Sequence, residues 1–240
     1  MWQLCDLHGH FLPGMDDGCK TPEESVQVLQ AQYRQGIHRV FATPHYYPVE
    51  PVEAFLKRRD ASVRTLREHV RKTGEDGLPE ICLGAEVAYR PGLAQEEDLE
   101  KLCLGNSAYL LLEMPFSRWS SDVIRGVRNL CVTGGVIPII AHVERYWNLQ
   151  SRDTLARILE LDVLVQMNAE HFLSLGTRGE ARKLVQRGFV QLLGSDCHNM
   201  TSRAPNLGKA VQYLEQKGLA GFLEDVQELS NRIFEEAADR

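Results

Sequence analysis

Short apolar runs alternate with longer amphipathic stretches from one end of this chain to the other. That rhythm limits the possible folds more than any other feature. The runs fall at about residues 3–7, 38–43, 80–87, 108–113, 136–141, 163–167 and 190–195. They are rich in leucine and β-branched residues and short enough to be strands buried on both faces of a parallel sheet. The stretches between them carry helix signals. Thr21-Pro22-Glu23-Glu24 offers a threonine cap, a proline in the first turn and a glutamate placed to complete a capping box. Val26, Leu29 and Tyr33 then share one face, and Gly36 can end the helix. Helical patterns also cover residues 52–73, 120–133, 151–161, 177–187, 204–217 and 219–236, whereas 92–104 reads as a shorter, less regular connection. Strands separated by helices imply an α/β fold built on a parallel sheet. About seven such units suit a closed or distorted barrel better than an open sheet, and barrels of this kind act at the C-terminal ends of their strands. No linker or repeat interrupts the pattern, so residues 1–240 are expected to form one domain.

Composition narrows the function classes. At 43% hydrophobic and 25% charged, the 240 residues are those of an ordinary globular protein. Lys+Arg 27 against Asp+Glu 33 gives −6, which argues against a general nucleic-acid binder. Six cysteines are too sparse for a disulfide scaffold. No apolar run approaches the ~20 residues of a membrane span. Met1-Trp2-Gln3-Leu4-Cys5-Asp6 lacks the basic start and apolar stretch of a signal peptide. The expectation is a cytoplasmic enzyme-sized domain, neither membrane-embedded nor bound to nucleic acid. Its oligomeric state is left open.

The strand ends carry the chemistry. His8 and His10 follow the first run, with Asp16 and Asp17 shortly after; His45 follows the second; Glu86 and Glu113 end the third and fourth. His142 ends the fifth, and Asp196 and His198 end the seventh. A lone buried histidine is more often a satisfied core residue than a ligand, and a strand-end glutamate is often a surface charge. The joint pattern outweighs those readings. A ring of imidazoles and carboxylates on one rim is a divalent-metal site, large enough for more than one ion. His-x-His on an extended segment puts both rings on one face. His38 begins a strand and His69 lies in a charged helix, so both fall outside the set; His171 follows the sixth run and has only its position to recommend it. Arg145 and Arg203 stand on the same rim. A guanidinium beside metal ions needs an anion between them, and its fork fits phosphate or carboxylate. A salt bridge to Glu144 or to an outlying aspartate is the alternative.

Taken together, Asp6-Leu7-His8-Gly9-His10, Asp16-Asp17-Gly18, Thr43-Pro44-His45, Gly84-Ala85-Glu86, Ala141-His142-Val143-Glu144-Arg145-Tyr146 and Ser195-Asp196-Cys197-His198-Asn199 resemble the PHP (polymerase and histidinol phosphatase) superfamily. Within it the chain is most similar to the CpsB/CapC-type manganese-dependent protein-tyrosine phosphatases of bacterial capsule and exopolysaccharide systems. The resemblance runs from residue 3 to about residue 210, and Cys197 departs from the residue usual there. It implies a distorted (β/α)7 TIM-like barrel with three metal ions, manganese before iron or zinc. It implies one ion on His8, His10, Glu86 and Asp196, a second on Glu86, Glu113 and His142, and a third on Asp17, His45 and His198. Arg145 and Arg203 would bind the phosphate, with Glu113 also near the chemistry. The implied partner is a tyrosine-phosphorylated protein such as the C-terminal tail of a bacterial tyrosine kinase.

The implied reaction is attack of a metal-bridging hydroxide on phosphorus, in line with the tyrosine oxygen. Rival readings remain. Cys197 and Arg203 fit the Cys-x5-Arg spacing of thiol phosphatases, although the loop has no glycine to cradle phosphate and Asp196 beside the thiol disfavours a thiolate. A small-molecule phosphatase such as a histidinol phosphatase, an amidohydrolase and a non-catalytic metal-binding module are the others. Tyr46, Tyr47, Phe116 and Trp119 are candidates to pack on a phenyl ring. Leu219, Phe222, Leu223, Val226, Leu229 and Ile233 give the last helix an apolar face, read as barrel packing before dimerisation.

Overall fold

Nine short strands, all paired in parallel, carry the apolar runs in the computed structural model, which describes residues 2–238. Residues 1, 239 and 240 of the expected 1–240 domain lie outside the described residues. The strands are β1 (Cys5–Asp6), β2 (Arg39–Ala42), β3 (His45–Tyr46), β4 (Glu80–Leu83), β5 (Glu86–Ala88), β6 (Tyr109–Glu113), β7 (Ile137–Ile140), β8 (Leu164–Asn168) and β9 (Leu192–Gly194). Two runs are split. Pro44 has no N–H for a ladder and separates β2 from β3. Gly84-Ala85 separates β4 from β5, and a Cβ on Gly84 would stand 2.7 Å from Leu104. Backbone bonds from Gly84 to Ala42 (2.9 Å) and from Glu86 to Pro44 (3.1 Å) carry the pairing across both breaks.

The pairing orders are β1-β2-β4 and β3-β5-β6-β7-β8-β9. Beyond their ends the first and last strands meet. Gly9 pairs with Cys197 in parallel. His10 N donates to Cys197 O at 2.8 Å and Asp196 N donates to His8 O at 2.9 Å. The result is a mixed α/β fold around a curled parallel sheet.

The helices are α1 (Pro22–Arg34), α2 (Val52–Thr73), α3 (Ser121–Val132), α4 (Arg152–Leu159), α5 (Glu170–Leu173) and α6 (Arg178–Gln186) between the strands, then α7 (Leu207–Gln216) and α8 (Ala220–Ala238) after β9. Thr21 caps α1 as its sequence predicts, accepting from the Glu24 amide. The 92–104 segment holds only the short 3-10 turns Leu93–Gln95 and Leu99–Leu102. The helix expected from 204 starts at Leu207, after Pro205, and α5 is one the sequence patterns miss.

Strand alternation sorts the core into two clusters. Leu110 and Leu112 of β6 face the helices, with Val40, Ile140 and Leu193 from neighbouring strands. Tyr109 and Leu111 face inward with Phe41, Ile139 and Leu192. The end of α8 joins the inner cluster through Ile233, Phe234 and Ala237, while Leu223 and Val226 earlier in α8 join the outer one. The last helix therefore packs against the fold, its far end sealing the curled sheet's interior. That leaves the other end of the sheet, where the strands' C-termini gather, for function.

Candidate metal centre

The structure brings His8, His10, Asp17, His45, Glu86, Glu113, His142, Asp196 and His198 into one cluster. His8 Nε2 and His10 Nε2 face each other at 3.1 Å. Each lies 3.2 Å from Glu86 Oε2 and 3.5 Å from Asp196 Oδ1. Ligands held about 2.0–2.2 Å from one ion sit roughly 3.0–3.6 Å from each other, so this spacing fits a shared divalent cation. Around it, His45 Nδ1 is 3.1 Å from Glu86 Oε2, and His142 Nε2 is 2.7 Å from Glu86 Oε1 and 3.6 Å from Glu113 Oε1. Asp17, 63% exposed, approaches His198 at 3.2 Å and His45 at 3.6 Å. Donor atoms of His10, Asp17, His45 and His198 converge, as do those of His45, Glu86 and Glu113. His45 thus stands between the second and third groupings that the sequence motifs imply. The donor set is imidazole and carboxylate without thiolate, which fits manganese, iron or zinc. His45 Nδ1 is buried without a hydrogen bond despite its nearness to Glu86, which suits a nitrogen reserved for a cation.

Two delivering residues hold unusual backbone. His142 (φ 34°) and Asp196 (φ 52°) both adopt left-handed conformations just past their strands. Such strain in a non-glycine residue persists only where the surroundings impose it, and it clusters at functional sites.

Behind the cluster stands a polar frame in which Asp16, one of the strand-end acids, is joined by Gln166 and Asn168, which the sequence patterns do not single out. Asp16 accepts from His10 Nδ1 at 2.7 Å, which leaves His10 Nε2 free to face the centre. It also accepts from the His45 and Gly18 amides, both at 2.9 Å. Gln166 Oε1 contacts His8 Nδ1 at 3.3 Å and accepts from the His142 amide at 2.8 Å. Its Nε2 donates to Asn168, whose Nδ2 donates to Asp196 Oδ2 at 2.8 Å. Gln166 and Asn168 are the polar, same-face pair at the end of an otherwise apolar strand, and that i, i+2 pairing was the available signal. Asp6 accepts from the Ser195 amide at 2.9 Å and from Gln32 at 2.7 Å, tying β1 to the end of β9.

Charge in this buried setting is strongly coupled. Burial pulls the His10 imidazole down, but hydrogen bonds to Asp16 and Glu86 prevail and push it up to about 10. Burial opposes ionisation of Glu86, yet His8, His10 and His142 hold it well below the usual carboxylate range. Burial, with Glu86 nearby, pushes Glu113 up to about 7. Burial, His10 and Arg203 bring His198 down to about 4.

Both rim arginines contact Asp196. Arg145 Nη2 donates to its Oδ2 at 2.5 Å, and Arg203 Nη2 stands 2.7 Å from its Oδ1. The aspartate pairing posed as the alternative to anion binding is therefore present, on the central carboxylate instead of an outlying one. Their side chains remain 35% and 33% exposed, open to a second anion. They border a cavity of about 780 Å³ whose wall includes His171, Ser174 and Lys209. His171 is half-buried there, apart from the convergent donors.

The Cys-x5-Arg reading is corrected. Cys197 is fully buried, and burial with Asp6 nearby raises its thiol well above the ordinary value. Its Sγ faces Gln32 Nε2 at 3.5 Å. A buried, protonated thiol is not a nucleophile. The aromatic candidates also divide: Tyr46 and Trp119 are buried in the core, while Tyr47 and Phe116 are open beside the cluster.

Fold and site together define an α/β protein with a candidate divalent-cation centre at its strand ends. The chain belongs to the capsular polysaccharide synthesis CpsB/CapC family, whose family model matches residues 4–231. It is 29% identical over 231 residues to the tyrosine-protein phosphatase CpsB of Streptococcus pneumoniae, covering 89% of this chain and 90% of that protein. It is 28% identical over 231 residues to the tyrosine-protein phosphatase YwqE of Bacillus subtilis, covering 89% and 85%. Its fold matches a chain from the crystal structures of YwqE from Bacillus subtilis and CpsB from Streptococcus pneumoniae, described as unique metal-dependent tyrosine phosphatases. That match has a TM-score of 0.83 at 23% identity, over 97% of this chain and 95% of the other.

Proposed function

We propose that this chain is a metal-dependent phosphatase that removes phosphate from phosphotyrosine in proteins. The carrying observation is the buried cluster of facing imidazoles and carboxylates with two half-open guanidinium groups at its edge. Its family and the names of its relatives support the same activity. The fold is best counted as a distorted (β/α)7 barrel, with β2 and β3 as one broken strand and β4 and β5 as another. Residues 1–240 would form one domain, working in the cytoplasm; among the described residues no helix is long and apolar enough to cross a membrane. The natural partner would be a tyrosine-phosphorylated kinase tail of a capsule or exopolysaccharide system.

His8, His10, Glu86 and Asp196 would hold one ion, Glu86, Glu113 and His142 a second, and Asp17, His45 and His198 a third, with manganese the best candidate. Bound divalent cations supply Lewis-acid activation of water and neutralisation of phosphate charge. The chain's own residues do the rest. The forks of Arg145 and Arg203 grip the phosphate's equatorial oxygens, with Asp196 aligning both guanidinium groups in advance. Asp16, Gln166 and Asn168 hold the imidazoles and Asp196 in place, so little reorganisation is left for the moment of reaction. Glu113 stands at the edge of the cluster, 3.6 Å from His142 Nε2, where it would help hold that second ion beside the departing phenolate oxygen. Water adds to phosphorus as the bond to the phenolic oxygen breaks, giving phosphate and tyrosine. No cysteine takes part.

Phosphate release from a phosphotyrosine peptide by the metal-loaded protein tests this. Chelator and His45→Ala should each abolish release, and Cys197→Ser should retain it. Release that survives chelation but is lost in Cys197→Ser would reinstate the thiol mechanism. Turnover of small phosphate esters alone would favour a small-molecule phosphatase.

A further inference from the structure

We propose that Tyr47 and Phe116 form an aryl-binding subsite that gives this centre its preference for phenyl over alkyl phosphates. The proposal rests on the phosphatase activity just argued. His45, Tyr46 and Tyr47 continue the alternation of β3, so His45 and Tyr47 share a face while Tyr46 turns into the core. Tyr46 packs edge-on to Phe55 at 5.2 Å. Tyr47 instead stacks on the His45 ring, with centroids 5.2 Å apart and planes at 21°. Phe116, beyond Glu113 at the end of β6, lies near-parallel to the His142 ring at 6.2 Å and 22°. The buried Tyr146 supports it from beneath at 5.2 Å.

His45 and His142 contact opposite oxygens of Glu86, at 3.1 and 2.7 Å. The two open rings therefore sit on the imidazoles that bracket Glu86. Both carry large unpaired faces toward solvent, at 50% and 57% exposure. An aromatic ring so exposed leaves burial ungained, and a phenyl group arriving with the phosphate would claim it. An alkyl phosphate offers no face to stack, so discrimination follows from ring contact.

The test compares the manganese-loaded protein with Tyr47→Ala, Phe116→Ala and the double variant. Substrates are a phosphotyrosine peptide and the same peptide carrying phosphoserine. Binding of the matching phosphonate peptide is followed by calorimetry. The ratio of kcat/KM on phosphotyrosine to that on phosphoserine should fall about ten-fold in each single variant and further in the double. The loss should appear in KM and in phosphonate affinity, with kcat little changed, and Tyr47→Phe should restore the ratio because it keeps the ring. An unchanged ratio, or equal loss on both peptides, overturns the subsite. If the wild type hydrolyses neither peptide but does release phosphate from small esters, it is the protein-phosphatase activity that fails.

Discussion

Asp16 holds His10 Nδ1, the His45 amide and the Gly18 amide, so one carboxylate fixes the orientation of one candidate ligand and the position of another. Partners of this kind matter almost as much as ligands, because an imidazole that swings or changes tautomer presents the wrong nitrogen. Asp16→Ala should weaken manganese binding ~10–100-fold by titration calorimetry, while far-UV circular dichroism stays that of the parent. Affinity equal to the parent's would show that Asp16 serves the turn alone. The pair Asp16-Asp17 is visible in the sequence as two strand-end acids. Nothing local says that one faces the donor cluster while the other braces a histidine. That division depends on His45 and His198 arriving from elsewhere in the chain.

At the scale of elements, β9 shows how closely the strands approach beneath the site. A Cβ on Gly194 would lie 2.8 Å from His8 Cβ and 2.9 Å from Gln166 Nε2. The absent side chain thus makes room for one candidate ligand and for the residue that steadies it. Gly194→Ala should destabilise the fold by about 1–3 kcal/mol, the usual cost of overpacking, read as a lower denaturant midpoint. It should weaken metal binding as well. A stability loss with unaltered metal affinity would mean that His8 accommodates the shift. Element boundaries were only partly legible. The split of the 80–87 run at Gly84-Ala85 has a local cause in glycine and was readable in principle. The joining of its two halves to β2 and β3 was not, because ladder partners lie about forty residues away.

For the whole molecule, the cluster gathers acidic and basic groups from both ends of the chain, and any ion bound there ties those ends together. Ligand bound only by the folded state adds stability by mass action, about 2.7 kcal/mol at a hundredfold excess over Kd. For a chain of this length that is roughly 5–10 °C in Tm. Differential scanning calorimetry should show this rise on manganese addition and its reversal by chelator. A Tm indifferent to both would argue that the centre does not bind the ion in the folded protein.

Some of this was local and some was not. Periods of two and 3.6 residues are written in neighbouring side chains, so alternating strands and helices could be read directly. The gathering of His, Asp and Glu at strand ends was equally readable, because parallel strands joined by helices all send their C-terminal ends to one rim. Which donor faces which is a matter of distance between residues far apart in sequence, and only tertiary packing decides it. Asp196 drawing in both arginines is one such outcome. The same holds for Gln166 and Asn168 becoming a frame for the centre, Cys197 sinking into the core, and the end of α8 entering the inner cluster. Each depends on what the rest of the chain leaves in reach, which no window of the sequence contains.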